Sequence, residues 1–278
     1  MEAWNTVLFE KFSRFREIVT TGLGAHGQAL IARHPPRSGA RVLDVGCGFG
    51  DLTTELAARV GGAGQAVGVD AAARFVDAAR GEASAAGVRN ATFEVRDVER
   101  EPLGGPFQHA FSRFGTMFFA SPVAALRNVA RALAPDGELA MVVWRRREDN
   151  PWVHLAEERV RALVAEPEEH RAVTCGPGPF SMAGADLVSD QLLAAGFRDP
   201  RFERVDLPIR IGRDLDQAVE FGMALGPAGE LLRLAGAEAD AKRPAVIAAL
   251  RDVFAAYLRD DGVWAPSSTW VISARTPG

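Results

Sequence analysis

Between Arg41 and Trp144 the chain repeats one pattern: a short apolar run, a glycine or polar break, then a stretch whose apolar residues recur at helical spacing. Residues 42–45, 66–70, 91–96, 108–113 and 138–144 have the length and the β-branched and aromatic content of strands. Residues 52–60 and 72–86 read as helices. A third helix opens at Ser121-Pro122, a pair suited to an N-cap and first helical position, with Val123, Leu126, Ala130 and Leu133 spaced for one buried face. Pro135-Asp136-Gly137 predicts a turn before the fifth strand. Strands alternating with helices at this spacing predict parallel pairing through right-handed crossovers.

After Trp144 the rhythm breaks. Arg145 to Asp149 is a charged run, and 150–179 holds one helix followed by the loop Cys175-Gly176-Pro177-Gly178-Pro179. A helix over 185–195, stopped by Gly196, leads to a strand at 201–207, and a last strand covers 269–275. Between those strands lies a helical insertion with an apolar stripe of Val246, Ile247, Leu250, Val253, Phe254, Tyr257 and Leu258. The expectation is an α/β protein: a doubly wound, mostly parallel seven-stranded sheet with helical cap insertions. Its parts are an N-terminal helical segment (1–36), a ligand-binding core (37–145), a cap insertion (146–184), a core continuation (185–213), a second helical cap insertion (214–266) and the last core strand (267–278).

Composition narrows the function. A chain of 278 residues with 47% hydrophobic content can bury one sizeable core, and a net charge of −4 argues against a general nucleic-acid binder. Cys47 and Cys175 are the only cysteines, so neither a disulfide framework nor a Cys/His metal cluster is expected, and a reducing compartment suits them. Met1-Glu2-Ala3-Trp4-Asn5 lacks the features of a signal peptide, and no uninterrupted apolar run reaches membrane length. A cytoplasmic chain without membrane contact is expected. Nothing in the sequence sets an oligomeric state.

The chemistry is concentrated at Val42-Leu43-Asp44-Val45-Gly46-Cys47-Gly48-Phe49-Gly50, a strand, a glycine turn and a helix N-terminus in succession. Such a junction favours ligands because backbone N–H groups are left at the helix start. A dinucleotide fingerprint would need G-x-G-x-x-G, whereas this turn is G-x-G-x-G with Asp51 at the sixth position, a carboxylate that would repel a diphosphate. The run instead resembles the first motif of the class I S-adenosylmethionine-dependent methyltransferases. Asp70 and Asp97-Val98 stand at the ends of the second and third strands, where that family places an acid for the ribose hydroxyls and an Asp with an apolar neighbour for adenine. Phe111 to Phe119, Pro122 and Asn150-Pro151-Trp152 are similar to a bacterial small-molecule branch, and the similarity reaches the last strand; Gln108-His109 departs from the Phe-Asp usual there.

The resemblance implies S-adenosylmethionine as cofactor, held by Asp44, Gly46, Cys47, Gly48, Gly50, Asp70, Ala71, Asp97, Val98, Arg113 and Phe114. It implies methyl transfer to a small-molecule acceptor, an in-line displacement that alignment and water exclusion can drive without an obligatory base. The acceptor side is expected to comprise Trp4, Phe12, Met117, Trp144, Asn150, Trp152 and His154, with His154 the candidate base. Phe12 and Phe15, at helical spacing, fit docking residues at least as well as a lid. Two alternatives stay open: a non-methylating enzyme that alkylates or cyclises and releases methylthioadenosine, and a regulatory module that only binds the cofactor. A nucleic-acid methyltransferase lacks its Asn-Pro-Pro-Tyr type signature after the fourth strand.

Overall fold

The computed structural model describes residues 2–164 and 176–278; His170 and Cys175, the first residue of the loop expected after the first cap helix, lie outside the described residues. Strands β1 (Arg41–Val45), β2 (Gln65–Asp70), β3 (Ala91–Val95), β4 (Phe107–Arg113), β5 (Leu133–Trp144), β6 (Arg198–Gly212), β7 (Leu258–Arg259) and β8 (Gly262–Arg275) form one sheet in the order β3-β2-β1-β4-β5-β8-β6, with the two-residue β7 paired to β8. The five strands from β3 to β5 are parallel and β8 runs antiparallel between β5 and β6. The doubly wound, mostly parallel α/β sheet is as expected.

The order has a functional consequence. From β1 the chain winds outward through β2 and β3, then returns to the other side of β1 for β4. Crossovers therefore leave the carboxyl ends of β1 and β4 in opposite directions, and the crevice this opens is where ligands of open α/β sheets bind. Helices α4 (Asp51–Val60), α5 (Ala73–Ala85) and α6 (Pro122–Ala132) make those crossovers, each within two residues of its expected bounds. Leu43, Val45, Val67, Val69 and Met141 are buried on one side of the sheet, and Val42, Ala66, Phe111 and Val142 on the other. The alternation follows the two-residue period of strand side chains.

Four expectations need correcting, the first being that β5 begins at Leu133, so Pro135-Asp136-Gly137 lies inside that strand and not in a turn before it. The last strand begins at Gly262, not near Thr269, and β6 runs from Arg198 to Gly212 where 201–207 was expected. The expected ends lay beside Pro208 and Pro266, and those prolines face each other within the ladder. Pairing with β5 stops at Thr269, so Pro266 withholds no bond from β5. The apolar stripe is also shorter: α12 (Arg243–Ala255) buries Val246, Leu250, Val253 and Phe254, whereas Leu258 lies in β7 and is half exposed. With α7 (Pro151–Arg161), α9 (Leu215–Ala224), α10 (Gly226–Ala235) and α11 (Ala237–Ala241), it forms a helical layer whose apolar face is continuous with the core.

The N-terminal segment comprises α1 (Glu2–Asn5), α2 (Val7–Arg14), a π-helical turn (Ile18–Gly22) and α3 (Gly24–Arg33). α1 and α2 bury no residue fully, whereas α3 buries His26, Gly27, Leu30 and Ile31. Among the described residues no helix is long and apolar enough to cross a membrane, and no group of histidine, cysteine and acidic side chains could hold a metal ion.

Candidate cofactor and active site

The glycine turn closes the carboxyl end of β1, and its three glycines answer different needs. All have positive φ, of 71°, 53° and 79° at Gly46, Gly48 and Gly50. A Cβ on Gly46 would lie 3.1 Å from Gly115 Cα, and one on Gly50 would lie 2.6 Å from the Phe93 ring and 2.8 Å from Ala79 Cβ. Both serve the protein's own packing. A Cβ on Gly48 meets nothing within 4 Å, so this position alone faces open space. The turn's amides are largely engaged: Gly46 and Cys47 donate to the Val69 carbonyl at 2.9 and 3.0 Å, and Gly48 donates to Asp70 Oδ2 at 3.1 Å. Cys47 is buried and burial pushes its thiol well up, so it is a wall rather than a nucleophile.

Three carboxylates converge on this turn. Asp70 ends β2, takes the Gly48 amide on Oδ2 and the Ala72 amide on Oδ1 at 2.9 Å, and its carboxyl is pushed up by burial. Each oxygen keeps a lone pair, so the group can accept two further hydroxyl donors. Asp44, fully buried in β1, accepts from Thr53 Oγ1 at 2.6 Å on Oδ2, while Oδ1 has no partner. Burial raises it to about 7, against the opposing pull of the Thr53 hydroxyl and Arg113. Asp51 begins α4 and is held by Arg113 through two bonds of 2.5 and 2.9 Å. The carboxylate expected to repel a diphosphate is therefore neutralised by an arginine that sequence spacing did not pair with it.

The same pair accounts for Arg113. Its guanidinium is committed to Asp51 and its stem runs along α3, where a Cβ on Gly27 would fall 3.2 Å from Arg113 Cδ. Ser112 donates to the Val45 carbonyl at 2.7 Å, and Gly115 packs on Gly46. The β4 exit is thus locked to the glycine turn, and Arg113 fixes that turn from behind. Phe114, with φ at 58°, turns its ring onto Trp144, stacked at 4.5 Å.

Asp97 follows β3 and is a third exposed; its Oδ1 caps the Glu99 amide at 3.0 Å, and neighbouring Val98 is buried. Ala71 follows Asp70 at the mouth of the turn. Aromatics gather on the side of the turn towards α5: Phe49 and Phe75 at 5.0 Å, with Phe9, Phe12 and Trp4 from the N-terminal helices around them. Trp4 reaches Phe118 at 5.1 Å, beside buried Met117. Phe9, Phe49 and Phe75 were not singled out in the sequence; an aromatic inside the glycine turn was the available signal. Phe15 goes elsewhere, buried against Phe221 of α9 at 5.5 Å, so α2 touches both core and cap.

Trp144 stands edge-on to Trp152 at 6.4 Å, and Trp152 stacks on Phe221 at 6.2 Å with its indole N–H buried and unpaired. Asn150 is buried, but its amide donates to the Arg146 and Ser268 carbonyls at 3.1 Å each and its Oδ1 accepts the Ser268 amide at 2.9 Å. It clamps the start of α7 to β8 and has no free donor to offer an acceptor. His154, on α7, is a third exposed and lies 3.7 Å from Glu158 one turn on. His109, where the fourth strand departs from the family pattern, faces Glu138 at 3.7 Å from the opposite end of β4 to the glycine turn.

Sequence reasoning passed over His26. Its ring is fully buried, edge-on to both Phe114 (5.7 Å) and Trp144 (6.0 Å), with Nε2 2.7 Å from Ser267 Oγ and Nδ1 3.2 Å from Thr269 Oγ1. Ser267 donates onward to the Leu207 carbonyl at 2.7 Å and Thr269 to the Val205 carbonyl at 3.1 Å, so both hydroxyls that touch the ring are themselves tied to β6. Burial, reinforced by Arg113, lowers this histidine to about 4. Its hydrogen-bond partners are β8 residues more than 200 positions away, which no local pattern reveals.

A family model described as "Methyltransferase domain" matches residues 36–186. Nocamycin O-methyltransferase of Saccharothrix syringae is 32% identical over 184 residues, 63% of this chain and 65% of that protein. Aklanonic acid methyltransferase DauC of Streptomyces sp. (strain C5) is 34% identical over 115 residues, 41% and 52% of the two chains. The chain therefore spans between half and two thirds of the length of these curated relatives. Among solved structures, the YcgJ protein from Bacillus subtilis aligns with a TM-score of 0.57 at 20% identity over 92% of this chain and 98% of its own, and the [4+2]-cyclase SpnF with a TM-score of 0.51 at 20% identity over 91% and 80%. At such identities the likeness shows the fold.

Proposed function

We infer the reaction from one premise: the chain belongs to the class I S-adenosylmethionine-dependent methyltransferases. We propose that it transfers the sulfonium methyl group to a small-molecule acceptor by in-line displacement in a desolvated, aromatic-lined pocket. The observation that carries the cofactor half is Asp70, a part-buried carboxylate bound to the amide of Gly48, the one glycine of the turn that faces open space. The unpaired Asp44 Oδ1 and the excess of carboxylates over Arg113 suit a cation.

In this reading Asp70 accepts both ribose hydroxyls, and Asp97 and Val98 take the adenine amino group and ring face. Gly46, Cys47, Gly48, Gly50 and Ala71 give the backbone that lets the nucleoside approach. Arg113 acts through Asp51 to keep the turn in place, and Phe114 contributes its ring. The bound cofactor supplies an activated methyl group on a positively charged sulfur. The chain's task is alignment and exclusion of water, for which on the order of 7–11 kcal/mol is available. Helices α1 and α2 serve as lid and α7 with α9 to α12 as cap, so Trp4, Phe12, Met117, Trp144 and Trp152 wall the acceptor side. An acceptor that must lose a proton has His154 as its candidate base. The two curated relatives, by name methyltransferases of nocamycin and aklanonic acid, support a small-molecule acceptor.

The competing outcome is alkylation or cyclisation without methyl transfer, a possibility the cyclase SpnF keeps within the fold. Products discriminate. The protein is incubated with methyl-labelled S-adenosylmethionine and a panel of small phenolic, enolic and carboxylic acceptors, and both fractions are weighed by mass spectrometry. S-adenosylhomocysteine with an acceptor one labelled methyl heavier is expected; methylthioadenosine without S-adenosylhomocysteine overturns methyl transfer.

A further inference from the structure

We propose that the cradle exchanges a proton for its cofactor: Asp44 releases its proton to solvent as the cationic S-adenosylmethionine docks, so that affinity rises with pH. The proposal rests on the cofactor reading above and adds to it a linkage at one carboxyl group. The geometry singles out Asp44. It is fully buried at the root of the glycine turn, Oδ2 has one donor, Thr53 Oγ1 at 2.6 Å, and Oδ1 has none. Asp70, at the end of β2 and bonded to the same turn, has backbone donors on both oxygens.

The groups facing Asp44 come from each element packed around it. From α4 there are the Thr53 hydroxyl and Asp51, from β2 Asp70, from β4 Arg113, and from the turn the Cys47 thiol, which stays protonated. Arg113 is already bonded to Asp51, so its charge is largely spent there. A second carboxylate beside Asp70, with no donor on one oxygen, is resisted both by the lost hydration and by like charge. That balance holds Asp44 at about 7 in the free protein. A cation entering the cradle removes the resistance, and the carboxyl group dissociates to a carboxylate and a proton taken up by buffer. No other bond changes.

Titration calorimetry of S-adenosylmethionine into the protein, in two buffers of different ionisation heat at pH 6.5 and 8.5, tests this. About three quarters of a proton is expected to be released at pH 6.5 and under a tenth at pH 8.5, with affinity about fourfold higher at the upper pH. In Asp44→Asn the release falls by that amount and the affinity no longer follows this pH dependence. The cofactor's own amino group titrates in both proteins, so their difference isolates Asp44. Thr53→Val, close in shape and lacking the hydroxyl, shifts the release upward so that it persists at pH 8.5. Binding whose heat is the same in both buffers at pH 6.5, or undiminished proton release from Asp44→Asn, overturns this inference and leaves the cofactor reading intact. Absence of binding by the unaltered chain at both pH values overturns the two together.

Discussion

His26 makes the stability of this fold pH-dependent in a direction that can be worked out. Folded, the ring stays neutral down to about 4; unfolded, it takes a proton below its ordinary 6.5. Between those values the unfolded state binds more protons, so stability is fully present above 6.5 and is lost as pH falls towards 4. The drop from 6.5 to about 4 corresponds to roughly 3 kcal/mol. Asp44 acts oppositely: its folded carboxyl holds a proton up to about 7 while the unfolded one loses it near 3.8, so its contribution falls as pH rises through that window. In the unaltered protein the two slopes oppose each other. His26→Gln keeps a donor for Ser267 but removes the titrating ring. Urea unfolding at pH 4.5, 5.5, 6.5 and 7.5 should show the advantage of the unaltered protein over the variant shrinking by about 1 kcal/mol per pH unit below 6.5. Parallel stability curves for the two proteins would refute the assignment of a buried neutral histidine.

Other consequences follow from single contacts. Gly50→Ala places a methyl group 2.6 Å from the Phe93 ring at a φ of 79° and should cost about 2–4 kcal/mol in unfolding, whereas Gly48→Ala, with open space, should cost about 1 kcal/mol and act mainly on cofactor affinity in calorimetry. Arg113→Ala strands Asp51 and should lose about 2–4 kcal/mol, below the cost for a fully buried pair because Asp51 is 28% exposed; the double variant with Asp51→Asn should recover part of it in urea melts. Asn150→Ala removes three bonds, two of which tie the start of α7 to β8, and should destabilise by about 1–3 kcal/mol.

The parts of the fold that local pattern governs were legible. The first five strands and their helices follow from hydrophobic period, and the parallel order from their alternation. Pro208 and Pro266 concealed the length of the β6–β8 ribbon, because proline reads as a strand end unless its neighbour strand is known to stop first. At the site, the glycine turn, Asp44 and Asp70 stand where the chain signals them, since they lie at strand ends. What could not be read were pairings across the fold. Asp51 and Arg113 are 62 positions apart, and His26 meets Thr269 across 243. Asn150 and Arg113 carried polar groups that suggested ligands, and both are occupied by partners that only the tertiary structure supplies.

The central claim is that the carboxylate at the end of β2 and the glycine turn together seat the adenosyl sulfonium. Calorimetric titration of S-adenosylmethionine into the unaltered chain and Asp70→Ala tests it most directly. The account predicts one cofactor per chain, and a loss of about 10²–10⁴-fold in affinity when two charge-assisted hydrogen bonds of about 1.5–3 kcal/mol each are removed. No uptake by the unaltered chain, or equal affinity in the two proteins, would contradict it.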